Sequence, residues 1–197
     1  MVSFQRLFAV LTSYVESHGV AVCCQKMDEE IPGEFDGLTI TINLMHDLES
    51  RCYYLVHSFG SVVEWSLDVD GAYAVFEDLR VAKATQLSDP SRFERALKRF
   101  CNLEERASEY AVWVLAAIGY HAVIRAYTEF FRADVESMTI FHREGAAPPW
   151  SEFFIEWKAR VACGEKQVAP YAPRAVPPFR PVRIQQQQVV QEVDAID

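Results

Sequence analysis

DGLTITINLMHDLESRCYYLVHSFGSVVEW, residues 36–65, changes its hydrophobic period half-way along. Leu38, Ile40 and Ile42 point one way and Thr39, Thr41 and Asn43 the other. That alternation is the period of two of a half-buried strand. From Leu48 onward Cys52, Leu55, Val56, Phe59, Val62 and Val63 recur every three or four positions, so a helix there carries one long apolar face. Asp47 supplies the N-cap, and Glu49 puts negative charge in the first turn, where the helix dipole favours it. The fold is therefore read around a strand that feeds a buried helix with His57 at its middle.

A chain of 197 residues with 50% hydrophobic content can bury one sizeable core, and its four Trp, eight Tyr and 13 Phe furnish it. Net charge is −9 with a pI near 5.1, and no run of Lys or Arg interrupts it, which excludes a sequence-independent hold on nucleic acid phosphates. The five cysteines (Cys23, Cys24, Cys52, Cys101, Cys163) are odd in number and contain no C-x-x-C pair, so neither a disulfide framework nor a zinc knuckle is expected. The opening MVSFQRLFAVLTSYVESHGV is amphipathic and carries an acid, unlike a signal peptide. No apolar run is long enough to span a bilayer. These features predict a soluble, reduced, cytoplasmic protein without membrane or nucleic-acid partners, and leave its oligomeric state open.

Outward from the central stretch, Ser3 caps a helix whose face holds Phe4, Leu7, Phe8, Leu11 and Val15, with Gly19 past its end. Val20 to Cys24 is β-prone and, with Leu38 to Asn43, predicts a two-stranded ribbon or part of a small sheet. Pro32, Gly33 and Asp36-Gly37 mark turns between the two. Ser66 to Ala72 reads as an acidic solvated loop without the spacing of a calcium site, followed by a helix from about Tyr73 to Thr85. Asp89-Pro90 starts a helix in which Phe93, Leu97, Phe100, Ala107, Ala111, Val114 and Ile118 share a stripe. Glu104 falls on that stripe. If the helix is continuous its carboxylate enters the core and needs a partner; if the helix breaks near Cys101-Asn102, Glu104 lies in a solvated first turn.

Two further helices are expected, one over His121 to Arg143 and a short aromatic one after Pro148-Pro149, whose Phe153, Phe154 and Trp157 are read as core. After Gly164 prolines crowd together, then come Gln185 to Gln188 and an acidic end. The expected organisation is one mainly helical α+β domain over residues 1–164, with a small ribbon or sheet on a helical core. Residues 165–197 form an extended tail in which Phe179, Val182 and Ile184 can lie along the body of the domain or of a partner, with disorder expected from Gln185.

Three elements recur in this order: Ile40-Thr41-Ile42-Asn43 on the strand, His57-Ser58-Phe59-Gly60-Ser61 on the helix, and Glu104-Glu105-Arg106-Ala107-Ser108-Glu109-Tyr110-Ala111 on the later helix. Over roughly Gly19 to Leu115 the arrangement resembles the ImmA/IrrE family of bacterial and phage metallopeptidases. That family has a strand of the I-x-I-N type, a helix with H-E-L-G-H and a later helix of the type E-x-x-A-x-x-F-A. In such zincins two His one turn apart hold zinc and the Glu beside the first polarises the attacking water. The resemblance implies a zincin-like fold, places His57 at the first zinc ligand and Glu104 at a third, and suggests protein contacts like those that the family's proteases make with repressors.

The departures decide the chemistry that is expected. Ser58 stands at the position of the catalytic Glu and Ser61 at that of the second His. Serine is a poor neutral ligand for zinc and cannot act as a carboxylate base. Losing a general base typically removes about two to four orders of magnitude in rate. Glu64, seven residues after His57, is a conceivable substitute ligand two turns away, and His46, His121 and His142 are further candidates that sequence cannot place. The expectation is a catalytically degenerate peptidase-like module, without catalytic residues or cofactor, that binds a protein. His57, Ser58, Ser61 and Glu104 are its relic positions, and a His57–Glu104 contact is expected in preference to Glu104 pairing with Arg51. The alternatives are an active zinc peptidase whose metal site is rearranged around His57, Glu104 and Glu64, and a helical scaffold without this ancestry. No phosphate loop, G-x-S-x-G elbow or C-x-x-C pair supports other chemistry, and no local signature supports a Cys52 or Cys101 hydrolase.

Overall fold

In a computed structural model that describes residues 2–28 and 31–184, the elements run α1 (Phe4–Ser17), β1 (Ala21–Gln25), β2 (Gly33–Phe35), β3 (Thr39–Asn43), α2 (Leu48–Leu67), α3 (Val69–Ala84), α4 (Pro90–Ala117), α5 (Ile124–Glu144) and α6 (Trp150–Ala162). A 3₁₀ turn, His121–Val123, leads into α5. The protein is a mostly helical α+β fold, with a small sheet packed on the helices. Among the described residues no helix is long and apolar enough to cross a membrane.

The sheet has the order β1-β3-β2, with β1 parallel and β2 antiparallel to β3. It therefore has one strand more than a two-stranded ribbon. Gly33-Glu34-Phe35 carries turn residues and becomes a strand only because it pairs with Ile42, Thr41 and Ile40. On β3, Ile40 and Ile42 are fully buried against the helices. Asn43 is also fully buried, against the alternation. Its Nδ2 donates to the carbonyls of Asp28 and Ile31, while its Oδ1 accepts from the amides of Met27 and Met45. One amide thus satisfies both flanking loops, which is why a polar group is tolerated there.

Asp47 caps α2 by accepting from the Ser50 amide, and Asp89 caps α4 with Pro90 following. A central core gathers Leu7, Leu11 and Val15 of α1, the β3 isoleucines, the apolar face of α2, and Ala111, Val114 and Leu115 of α4. Each fully buried Leu or Phe in it contributes roughly 1.5–3 kcal/mol. Leu79, Ala82, Phe93, Leu97 and Phe100 join α3 to α4 in a second cluster. The acidic loop is shorter than its composition suggests: Val69 to Ala72 already form the first turn of α3, capped by Asp68. Acids favour a first turn as well as a loop. In α6 only Trp157 is buried, while Phe153 and Phe154 are half-buried and Ile155 is exposed, so that helix is less of a core element than its aromatic content implies.

Beyond α6, residues 165–184 have no regular secondary structure, yet Tyr171 and Ile184 are buried. The Arg174 amide donates to the Glu109 carbonyl (3.1 Å) and the Ile184 amide to the Asp36 carbonyl (2.7 Å). Phe179 stacks on His18 with centroids 6.1 Å apart. Gln185 onward, where disorder was expected, lies outside the described residues.

Candidate functional site

α4 is one continuous helix of 28 residues, so Glu104 faces inward rather than sitting in a solvated first turn. It meets α2 at a close crossing. A Cβ on Gly60 would stand 2.1 Å from the carbonyl oxygen of Ala107, so only glycine lets the two backbones approach this far. Gly60 lies three residues after His57 and Ala107 three after Glu104, so the same crossing brings their side chains together. His57 Nε2 and Glu104 Oε2 are 3.0 Å apart across 47 positions of sequence.

The surroundings of His57 are set by three helices. Phe131 of α5 stacks on the imidazole with centroids 3.9 Å apart and planes 12° from parallel. Nδ1 faces the Ser108 and Tyr127 hydroxyls, each at 3.3 Å. With Nε2 on the carboxylate, Nδ1 is the ring atom left to those hydroxyls. Burial holds the Tyr127 phenol far above its ordinary range, so it stays a donor. Every polar atom of the imidazole is engaged.

Of the remaining candidates Ser61 and Glu64 line the same crevice as Glu104, and the others lie elsewhere. Ser61 lines a crevice with Glu104, but its hydroxyl donates back to the His57 carbonyl at 3.3 Å. Ser58 is half-buried on α2. Glu64 is ion-paired with Arg106. Arg51 donates to the His46 carbonyl and is not the partner of Glu104. His46 packs on Tyr54, His121 is exposed, and His142 packs on Phe100 and Phe141, where burial lowers its pKa to about 4. Burial also pushes the Cys52 thiol up to about 12 and raises that of Cys101, the reverse of what a thiolate nucleophile needs.

Each candidate zinc donor is engaged by another group of the chain. His57 and Glu104 bond each other, Ser61 is turned to its own helix and Glu64 is held by Arg106. Among the described residues no three His, Cys, Asp or Glu side chains converge as metal ligands. Ser108, His57 and Glu104 do stand in the order of a nucleophile, base and acid, but Ser108 is fully buried and the crevice beside Glu104 is too narrow to admit a water molecule. With Tyr171 docked beside it, that hydroxyl is closed to a substrate carbonyl. Comparison with known protein families, curated proteins and solved structures finds no match.

Four contributors, Ser108, Tyr127, Phe131 and Asp134, are not among the candidates that the sequence offers. Ser108 follows Glu104 by four residues, the spacing that shares a helix face. Tyr127, Phe131 and Asp134 lie at i, i+4 and i+7 of α5, so an acid ending an aromatic stripe is the signal for Asp134. Burial raises the Asp134 carboxyl from 3.8 to about 7; the Glu104 charge adds to this and His57 opposes it. With its folded pKa above the unfolded value, the native state binds the extra proton and stability falls as pH rises through that window. Asp134→Asn should therefore raise stability by on the order of 2 kcal/mol at pH 8 and change it little near pH 4. Denaturant midpoints of both proteins across that range check this; a difference independent of pH would refute it.

Proposed function

We propose that the chain is a catalytically degenerate metallopeptidase-like module that binds another protein, its ImmA/IrrE-like frame kept and its peptidase chemistry lost. The observation that carries this reading is the 3.0 Å contact of His57 with Glu104 between α2 and α4, with serines at the positions where a second ligand and a base would stand. An imidazole and a carboxylate that would otherwise share a metal instead satisfy each other. Five unpaired cysteines suit a reducing compartment such as the cytoplasm.

Metal analysis of the purified protein tests the reading. We expect well under one zinc per chain, no cleavage of unstructured protein substrates, and no change in metal content on His57→Ala. Stoichiometric zinc that disappears in His57→Ala, together with proteolysis, would establish the rearranged-peptidase alternative instead.

A further inference from the structure

Residues 170–184, PYAPRAVPPFRPVRI, contain five prolines, three arginines and no carboxylate, on a chain of net charge −9. This strap crosses the body and is anchored at both ends beside the His57–Glu104 network. Tyr171 is buried next to Ser108 under the Arg132 guanidinium, whose carbon lies 4.0 Å from the ring centroid. Ile184 packs with Trp65 and Leu103, which line the crevice at Glu104. Between the anchors Arg174 pairs with Glu109 (3.0 Å), and the Val182 carbonyl lies so close to Gly37 that a Cβ there would be 1.9 Å away.

The hold is complementary but sparse. Proline cannot donate, so an extended run of this composition makes few main-chain bonds to its support, and recognition falls to spaced anchors and charge. Segments with few buried contacts and few backbone bonds open at low free energy.

We propose that this strap is a displaceable intramolecular occupant of a peptide-binding face, and that the partner is an extended, basic, proline-punctuated segment of another protein that takes its place. The inference rests on the protein-binding reading above and names the chemistry and regulation of that site: the free protein is self-blocked and opens when a competing segment arrives.

The probe is a fluorescent synthetic peptide of residues 170–184 added to the full chain, wild type and Tyr171→Ala/Ile184→Ala. The variant should bind it at least about tenfold tighter than wild type, since it lacks the competing anchors, and about 0.5 M salt should weaken binding. A peptide carrying Arg174→Glu should bind at least about tenfold more weakly. A variant that is folded by circular dichroism but binds no peptide overturns the proposal. So does sedimentation showing wild-type chains exchanging straps as a dimer, which would make the occupant a second copy. Should the variant not fold, amide exchange on wild type decides. The Arg174 and Ile184 amides should exchange at least about 100-fold faster than buried α2 amides, and exchange only at the slowest α2 and α4 rate would make the strap a permanent element. Each of these three failures leaves the non-catalytic reading standing, because metal content and proteolysis test that separately.

Discussion

Gly60→Leu is expected to leave no folded protein at ordinary temperature, and Gly60→Ala to lose about 3 kcal/mol or more. On an exposed helix the alanine change would gain roughly 1 kcal/mol from propensity. Here a single added carbon meets the Ala107 carbonyl oxygen at 2.1 Å and its carbon at 2.9 Å, both backbone atoms that cannot rotate away. Ordinary contact begins at 3.4 Å, so α2 and α4 would have to part by more than about 1 Å along the most extensively packed seam of the core. Separation would open voids among Val56, Phe59, Val63 and Ala111, all fully buried. Gly119→Ala is the control: no atom lies within 4 Å of its added carbon, and only the positive φ of 82° opposes it, costing about 1–2 kcal/mol. Urea denaturation of the two variants measures the contrast, and equal losses would show that the crossing is not tight. Gly60→Ala should also pull Nε2 of His57 away from Glu104, which imidazole NMR shifts would register.

How much of this was readable before the fold follows from what each residue depends on. The strand over Thr39–Asn43, the caps Ser3, Asp47 and Asp89, and the stripe on α4 depend on periods and local hydrogen bonds, and all are visible in sequence. The continuity of α4 through Cys101-Asn102 is not a local property. Phe100 and Leu103 pack on either side of that pair, and burial there outweighs the weak helix propensity of Asn. β2 exists only through its partner, and Asn43 is inward only because two loops converge on its amide. His57 and Glu104 were identified as positions, yet the network around them needs α5, whose Tyr127, Phe131 and Asp134 are separated from both by long stretches of chain. The strap shows the same division. Its proline content marks it as extended, whereas its docking depends on carbonyls of Asp36 and Glu109 that no composition argument can locate.

The pair itself gives the second large effect. His57→Phe removes the donor facing Glu104 and leaves a carboxylate, 17% exposed, against an aromatic wall; Glu104→Leu leaves Nε2 of His57 without an acceptor in the core. Each single change should cost about 2–3 kcal/mol, at the low end of what breaking a buried pair costs because the Glu104 side chain keeps some water. The double change His57→Phe/Glu104→Leu should cost far less than the sum. It eliminates both unpaired groups and sets one apolar ring against Phe131 in place of the imidazole, so the coupling energy should be about 2 kcal/mol or more. Denaturant unfolding of the four proteins gives that number, and additive losses would mean that the 3.0 Å contact does not couple them. A double variant as stable as wild type would carry a further consequence. An imidazole–carboxylate pair that contributes nothing to stability when replaced by hydrocarbon is retained for something other than holding α2 to α4, and the face it presents beneath Tyr171 and Ile184 is where that role would lie.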